Sequence, residues 1–154
     1  IYGIGCDATN DEAVKKIRIA KKREENPFSV IAPSKEWIDE NFIVNENAKE
    51  WVKRLPGPYT LVLKTKNQCV AENIAPEKNT LGIRIPDHWF TKIIGEANIP
   101  FVTTSVNISG GSPMTDLDNL DETIRSQVDY IIYDGPLHGP GSQKIDLRAC
   151  SSAG

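Results

Sequence analysis

Three cations and one alternating hydroxyl–amide pair are the residues of this 154-residue chain best suited to chemistry. Lys21 and Arg23 close a basic stretch in which Lys15, Lys16, Arg18, Lys21, Lys22 and Arg23 fall within nine positions. At about 100° per residue, Val14, Ile17 and Lys21 share one helical stripe and Lys15, Arg18 and Lys22 another. Lys21 therefore ends the inward face. An ammonium there must snorkel, find a counter-ion or meet an anionic ligand, because an unpaired charge in a low-dielectric site is costly. Arg23 follows at the helix exit, where a planar guanidinium grips phosphate or carboxylate oxygens bidentately. Arg84 interrupts LGIRI, a run otherwise suited to burial. It either pairs with an acid at the core rim or serves as a second anion anchor. Together the three cations suit a small polyanionic substrate, whereas the basic helix taken alone also reads as a solvated face.

Ser105 and Asn107 alternate in VTTSVNISGG, so a strand's period of two sends both side chains to one side. Gly110 and Gly111 let a ligand approach the backbone closely. The same segment contains the glycosylation sequon Asn107-Ile108-Ser109, a reading that requires secretion. It also reads simply as a strand running into a turn. His138 lies among glycines in GPLHGPGS, a loop that serves as a lid or only as a linker.

Composition narrows these options. Apolar residues make up 39% and charged residues 25%, as in a folded globular chain and unlike a disordered one. The length suits a single domain with a real core. No apolar run is long enough to cross a bilayer as a helix. Eighteen Lys+Arg against 21 Asp+Glu give a net charge of −3, which disfavours a surface devoted mainly to nucleic acid. Cys6, Cys69 and Cys150 are odd in number and scattered, which suggests neither a disulfide framework nor a metal knuckle and points to a reducing cytoplasm. With His88 and His138 the only histidines, neither a zinc site nor a His-based triad is well supplied.

The elements that must hold these residues alternate, strand-like runs with helical patterns, as in an α/β sheet covered by helices. IYGIGCDA, residues 1–8, reads as the first strand and suggests a piece of something longer. Thr9 with Glu12 offers an N-cap arrangement for a helix running to about Lys22. Residues 28–32 form a strand, then comes a helix capped by Ser34, and a further helix over residues 45–54 ends at Pro56-Gly57-Pro58. Residues 59–64 and 81–85 read as strands, 87–97 as a helix, 100–105 as a strand and 116–128 as a helix. DYIIYD, residues 129–134, is expected to be a last central strand.

The order IYGIGCDATN, Lys21-x-Arg23, NPFSVIA, LPGPYTLVL, LGIRIPDH, VTTSVNISG and GSQKIDL resembles the YrdC family, the L-threonylcarbamoyladenylate synthases, from Ile1 to about Leu147. The resemblance implies a single YrdC-like domain over residues 1–147 with a tail over 148–154. It implies a twisted open mixed α/β sheet with flanking helices and a central positively charged cavity. The reaction it implies joins L-threonine, bicarbonate and ATP, with Mg²⁺, into threonylcarbamoyl-AMP and pyrophosphate, for tRNA threonylcarbamoyladenosine formation by a separate transferase. Carried over by position, Lys21 and Arg23 would act catalytically and bind ATP, together with Thr80, Ser105 and Asn107. Ser29, Arg84, Thr103 and Ser142 would bind threonine.

The chain also departs from the family pattern. A leading segment with a substrate-binding threonine is absent before Ile1, and so is a later ATP-binding arginine. The Arg23–Pro27 link is about one residue short, and Gln143 and Lys144 replace a threonine and an aliphatic residue. Two other readings share the fold: a carbamoyl-transferring relative using carbamoyl phosphate, which would usually sit beside zinc-finger-like cysteine pairs, and a non-catalytic module binding tRNA or double-stranded RNA weakly.

Overall fold

The computed structural model describes residues 1–22, 26–75, 79–139 and 141–148. Six strands form one mixed sheet: β1 (Gly3–Asp7), β2 (Ser29–Ile31), β3 (Tyr59–Lys64), β4 (Thr80–Arg84), β5 (Phe101–Ser105) and β6 (Gln143–Asp146). Their order across the sheet is β1-β5-β2-β4-β3-β6. β5 runs antiparallel to β1 and β2, and β3 antiparallel to β4, while β2–β4 and β3–β6 are parallel. Around the sheet lie α1 (Asp11–Lys21), α2 (Lys35–Asn41), α3 (Glu46–Lys53), α4 (Trp89–Ala97) and the single turn α5 (Glu122–Arg125). The expected mixed α/β sheet with flanking helices is therefore present.

Alternation divides the sheet into two faces. Ile4, Val102, Val30, Ile83, Leu81, Leu61 and Leu63 project to one side and are buried. Val14, Ile17, Ile38, Ala48 and Val52 from the helices belong to the same core. Burying each large aliphatic side chain contributes roughly 1.5–3 kcal/mol, so this face supplies much of the driving force for folding. The other face carries glycines and hydroxyl side chains in its middle, with Ile31, Phe101 and Arg84 toward one end.

Local chemistry sets the helix ends. Ser34 Oγ accepts from Trp37 N at 3.0 Å, as expected, and Asn45 Oδ1 accepts from Ala48 N at 2.8 Å. α1 is capped by Asn10, whose Oδ1 accepts from Ala13 N at 3.1 Å, rather than by Thr9. Thr9 is already taken: Asp7 Oδ1 accepts from its N–H at 2.8 Å and from its hydroxyl at 2.7 Å, so the helix starts one residue later. α1 stops at Lys22, which adopts a left-handed conformation with φ 54°.

Two expectations fail toward the C-terminal end. Residues 116–128 do not make one helix, because Asp116 and Asp121 each cap a separate turn. A 3-10 turn spans Leu117–Asn119 and α5 spans Glu122–Arg125, with Leu120 extended between them. Residues 129–134 form no strand, and Tyr130 is 90% exposed. The segment is held by Tyr2, just before β1: Asp134 N donates to Tyr2 Oη at 2.8 Å, and Tyr133 stacks on Tyr2 with ring centroids 6.0 Å apart. Conversely, Gln143–Asp146 becomes β6 alongside β3, a strand not expected although Ile145 and Leu147 carry the period-two signal.

Glycine lets β1 and β5 approach. A Cβ on Gly5 would lie 2.1 Å from Val102 O and 2.3 Å from the Phe101 ring. Gly5→Ala is expected to lower unfolding free energy by about 1–3 kcal/mol through overpacking, read as a lower denaturant midpoint with unchanged slope.

Candidate active site

The face opposite the core gathers most of the candidate residues. Gly5 pairs with Thr103, Thr103 with Ser29, Ser29 with Gly82, and Gly82 with Val62, giving one continuous row across β1, β5, β2, β4 and β3. Paired residues share a face, so the Thr103 and Ser29 hydroxyls stand side by side above a glycine floor. Ser29 Oγ would be only 3.2 Å from a Cβ placed on Gly82, and Thr103 Oγ1 3.2 Å from one on Gly3. Any side chain at these glycines would fill the space over the sheet.

Two residues further along β4 in either direction lie Thr80 and Arg84, on the same face as Gly82. Ile31 pairs with both Arg84 and Phe101, so Arg84 stands at the Phe101 end of β5 and Thr80 at the Ser105 end. Four residues of strand separate them, about 13 Å. The candidate face thus carries a cation at one end and hydroxyls along its length. Arg84 is half-buried, and burial draws its guanidinium pKa below the ordinary value. Among the described residues its buried Nε has no hydrogen-bond partner. A desolvated guanidinium edge without an acceptor costs free energy that an anionic ligand would recover.

Lys21 solves its burial differently. It is 1% exposed, and its Nζ donates to Ser105 O, to Asn107 O at 3.0 Å and to Asn107 Oδ1 at 2.8 Å. Ser105 Oγ donates to the same Asn107 Oδ1 at 2.6 Å, and Asn107 Nδ2 donates to Gly111 O at 2.7 Å. Ser109 N–H in turn donates to Lys21 O at 2.9 Å. The Lys21 and Ser-x-Asn groups, expected together at the nucleotide, form one network that pins the loop after β5 to the end of α1. Lys21 keeps the inward position expected from its stripe, but these contacts are with the protein itself. Arg23 lies outside the described residues.

Ser142 is exposed just before β6, with its Oγ 2.6 Å from that of Thr60, a residue the sequence reading passed over. Arg18 was also missed, having been grouped with the solvated stripe. Its guanidinium donates to Asn73 O, Asn26 O and Ile74 O at 2.8–2.9 Å and lies 4.3 Å from the Phe28 ring centroid. It thereby anchors the chain entering β2 next to Ser29. His138 is exposed and follows Leu137, whose N–H donates to Thr115 O at 2.8 Å. Two clefts of about 340 and 320 Å³ flank residues 68–72; the second takes in Thr80. Neither includes Arg84, Ser29 or Ser105.

Removing the Lys21 ammonium leaves Ser105 O and Asn107 O without their charged donor. Lys21→Met, which keeps the apolar stem, is expected to cost about 3 kcal/mol of stability in a denaturant titration. It should also speed amide hydrogen exchange at Ser109.

Comparison with known proteins agrees with the fold. The family model Sua5_yciO_yrdC, described as "Telomere recombination", matches residues 1–147. A Methanocaldococcus jannaschii protein provisionally named threonylcarbamoyl-AMP synthase is 42% identical over 135 residues, covering 86% of this chain and 62% of its own length. The Bacillus subtilis threonylcarbamoyl-AMP synthase is 34% identical over 140 residues, covering 88% of this chain and 40% of its own. The crystal structure of P. abyssi Sua5 complexed with L-threonine superposes with a TM-score of 0.84 at 32% identity, over 96% of this chain and 44% of that one. The chain therefore spans less than two thirds of the length of these relatives. On the match over residues 1–147, it belongs to the Sua5/YciO/YrdC family.

Proposed function

We propose that this chain performs threonylcarbamoyl-AMP synthesis, joining L-threonine, bicarbonate and ATP and releasing pyrophosphate. The observation that carries the reading is Arg84: a half-buried guanidinium whose Nε has no partner among the described residues, beside Ile31 on the face that also carries Gly82, Ser29 and Thr103. That combination suits an amino-acid carboxylate at the arginine and a polar ligand stretched along the sheet. The names of the relatives, one of them solved with L-threonine, support the same substrates.

In this reading Arg84 receives the threonine carboxylate, and Ser29, Thr103 and Ser142 hold the rest of the amino acid. Thr80, Ser105 and Asn107 take the nucleotide, and Arg23 meets its phosphates within a positively charged cavity. Lys21 contributes a fixed charge beside Ser105 and keeps that loop in place. The threonine amine and bicarbonate give a carbamate with loss of water. A carbamate oxygen then bonds to the α-phosphorus as the bond to pyrophosphate breaks. No protein nucleophile is needed, so the residues act by positioning and charge stabilisation. Mg²⁺ accompanies the triphosphate as part of the substrate and spreads its charge. The product would pass in the cytoplasm to a transferase acting on tRNA.

Pyrophosphate release from ATP, measured with and without threonine and bicarbonate, tests this directly. Release that requires both is expected. Release driven by carbamoyl phosphate would favour the carbamoyl-transferring relative, and RNA affinity falling steeply with salt without any release would favour the binding module. Arg84→Ala is expected to raise KM for threonine by roughly 10- to 100-fold with ATP affinity little changed, the loss of one charged hydrogen-bonding partner. Calorimetric titration with each ligand separately checks the split.

A further inference from the structure

Thr60 is one of two buried polar or charged side chains among the described residues, the other being Lys21. It is 4% exposed, while its only described hydroxyl partner, Ser142, is exposed. The bond satisfies the buried hydroxyl, and it also fixes the orientation of the exposed one.

The geometry around Thr60 is over-determined. Alternation along β3 puts Thr60 on the same face as Val62, hence on the face of Gly82, Ser29 and Arg84. Its Cγ2 lies 3.2 Å from where a Cβ on Gly82 would stand, so the methyl is directed over the glycine floor next to Ser29. Its Oγ1 lies 2.6 Å from Ser142 Oγ. A β-branched residue has few χ1 choices, and packing of the methyl together with bonding of the hydroxyl selects one. The backbone adds a clamp on either side: Gln143 N donates to Pro58 O at 2.8 Å, and Thr60 pairs with Lys144 in the β3–β6 register. Ser142 therefore enters the face from a glycine-rich segment and is held there by Thr60. Gly141, at φ 77°, precedes it.

From this we infer that Thr60 is a positioning residue for substrate binding: its hydroxyl donates to Ser142 Oγ and so turns the Ser142 O–H outward, as a donor to an acceptor oxygen of the amino-acid substrate. The inference rests on the proposed threonine site and adds to it a residue that touches no substrate. It also accounts for the glycine diagonally across β4 from Thr60, since the methyl needs the space that Gly82 leaves open.

The test compares Thr60→Val, Thr60→Ser, Ser142→Ala and the Thr60→Val/Ser142→Ala double variant in the threonine-dependent pyrophosphate assay. Valine matches threonine in shape and replaces the hydroxyl by a methyl group. Thr60→Val is expected to raise KM for threonine roughly three- to tenfold, with kcat, KM for ATP and the melting temperature nearly unchanged. Thr60→Ser, which keeps the hydroxyl, is expected to restore the KM. In the double variant the KM should equal that of Ser142→Ala alone. An additive increase, an equal loss of kcat for both substrates, or failure of serine to rescue would overturn the positioning role. A parent protein that releases no pyrophosphate in response to threonine would instead overturn the functional reading, and this inference with it, before any substitution is compared.

Discussion

Successive residues of a β-strand face opposite ways, and the candidate site depends on that alternation being held in register. Slipping one strand by a single residue would exchange its buried aliphatics for its hydroxyls. The pairing Thr103–Ser29–Gly82–Val62 sits back to back with Val102–Val30–Ile83–Leu61, one residue away on each strand. Burial of the second row thus enforces alignment of the first. The core does not merely support the candidate face; it specifies which atoms appear there.

Lys21 extends this logic past the end of a strand. The strand ends at Ser105, and although Val106 N–H still donates to Tyr2 O at 3.1 Å, Asn107 must sit on the same side as Ser105 if both are to meet one ligand. The buried ammonium supplies that orientation by drawing two backbone carbonyls and one side-chain oxygen to a common point. Such a group is costly to bury and strongly directional once satisfied, so it favours one loop conformation over others. Arg18 does comparable work at the entrance to β2 with three carbonyls and the Phe28 ring. Two cations of a stretch that reads as a solvated face turn out to be internal fasteners.

Much of this was legible in the sequence. LGIRI and YTLVLK announce their strands by alternation and β-branching, Ser34 its cap, and Lys21 its inward stripe. What could not be read were choices settled by competition between neighbours. Asp7 captures Thr9 and hands the cap to Asn10. Asp116 and Asp121 divide what periodicity presents as one helix. DYIIYD has the composition of a central strand, but composition cannot supply a ladder partner, and among the described residues the segment has none. Ser142 was found by resemblance, whereas Thr60 was invisible because a threonine within a strand looks like any other until its neighbour across the sheet is known.

The strand order carries a further consequence. β1, near the start of the chain, pairs with β5, which lies beyond its middle, and β3 pairs with β6 close to the far end. Bringing such distant segments together costs loop-closure entropy before any contact repays it. During synthesis the hydroxyl face therefore cannot mature piecemeal: a nascent chain that has emerged as far as β4 holds Arg84 and Ser29 but neither Thr103 nor Ser105. The candidate face would be completed late, when the last partners close the sheet.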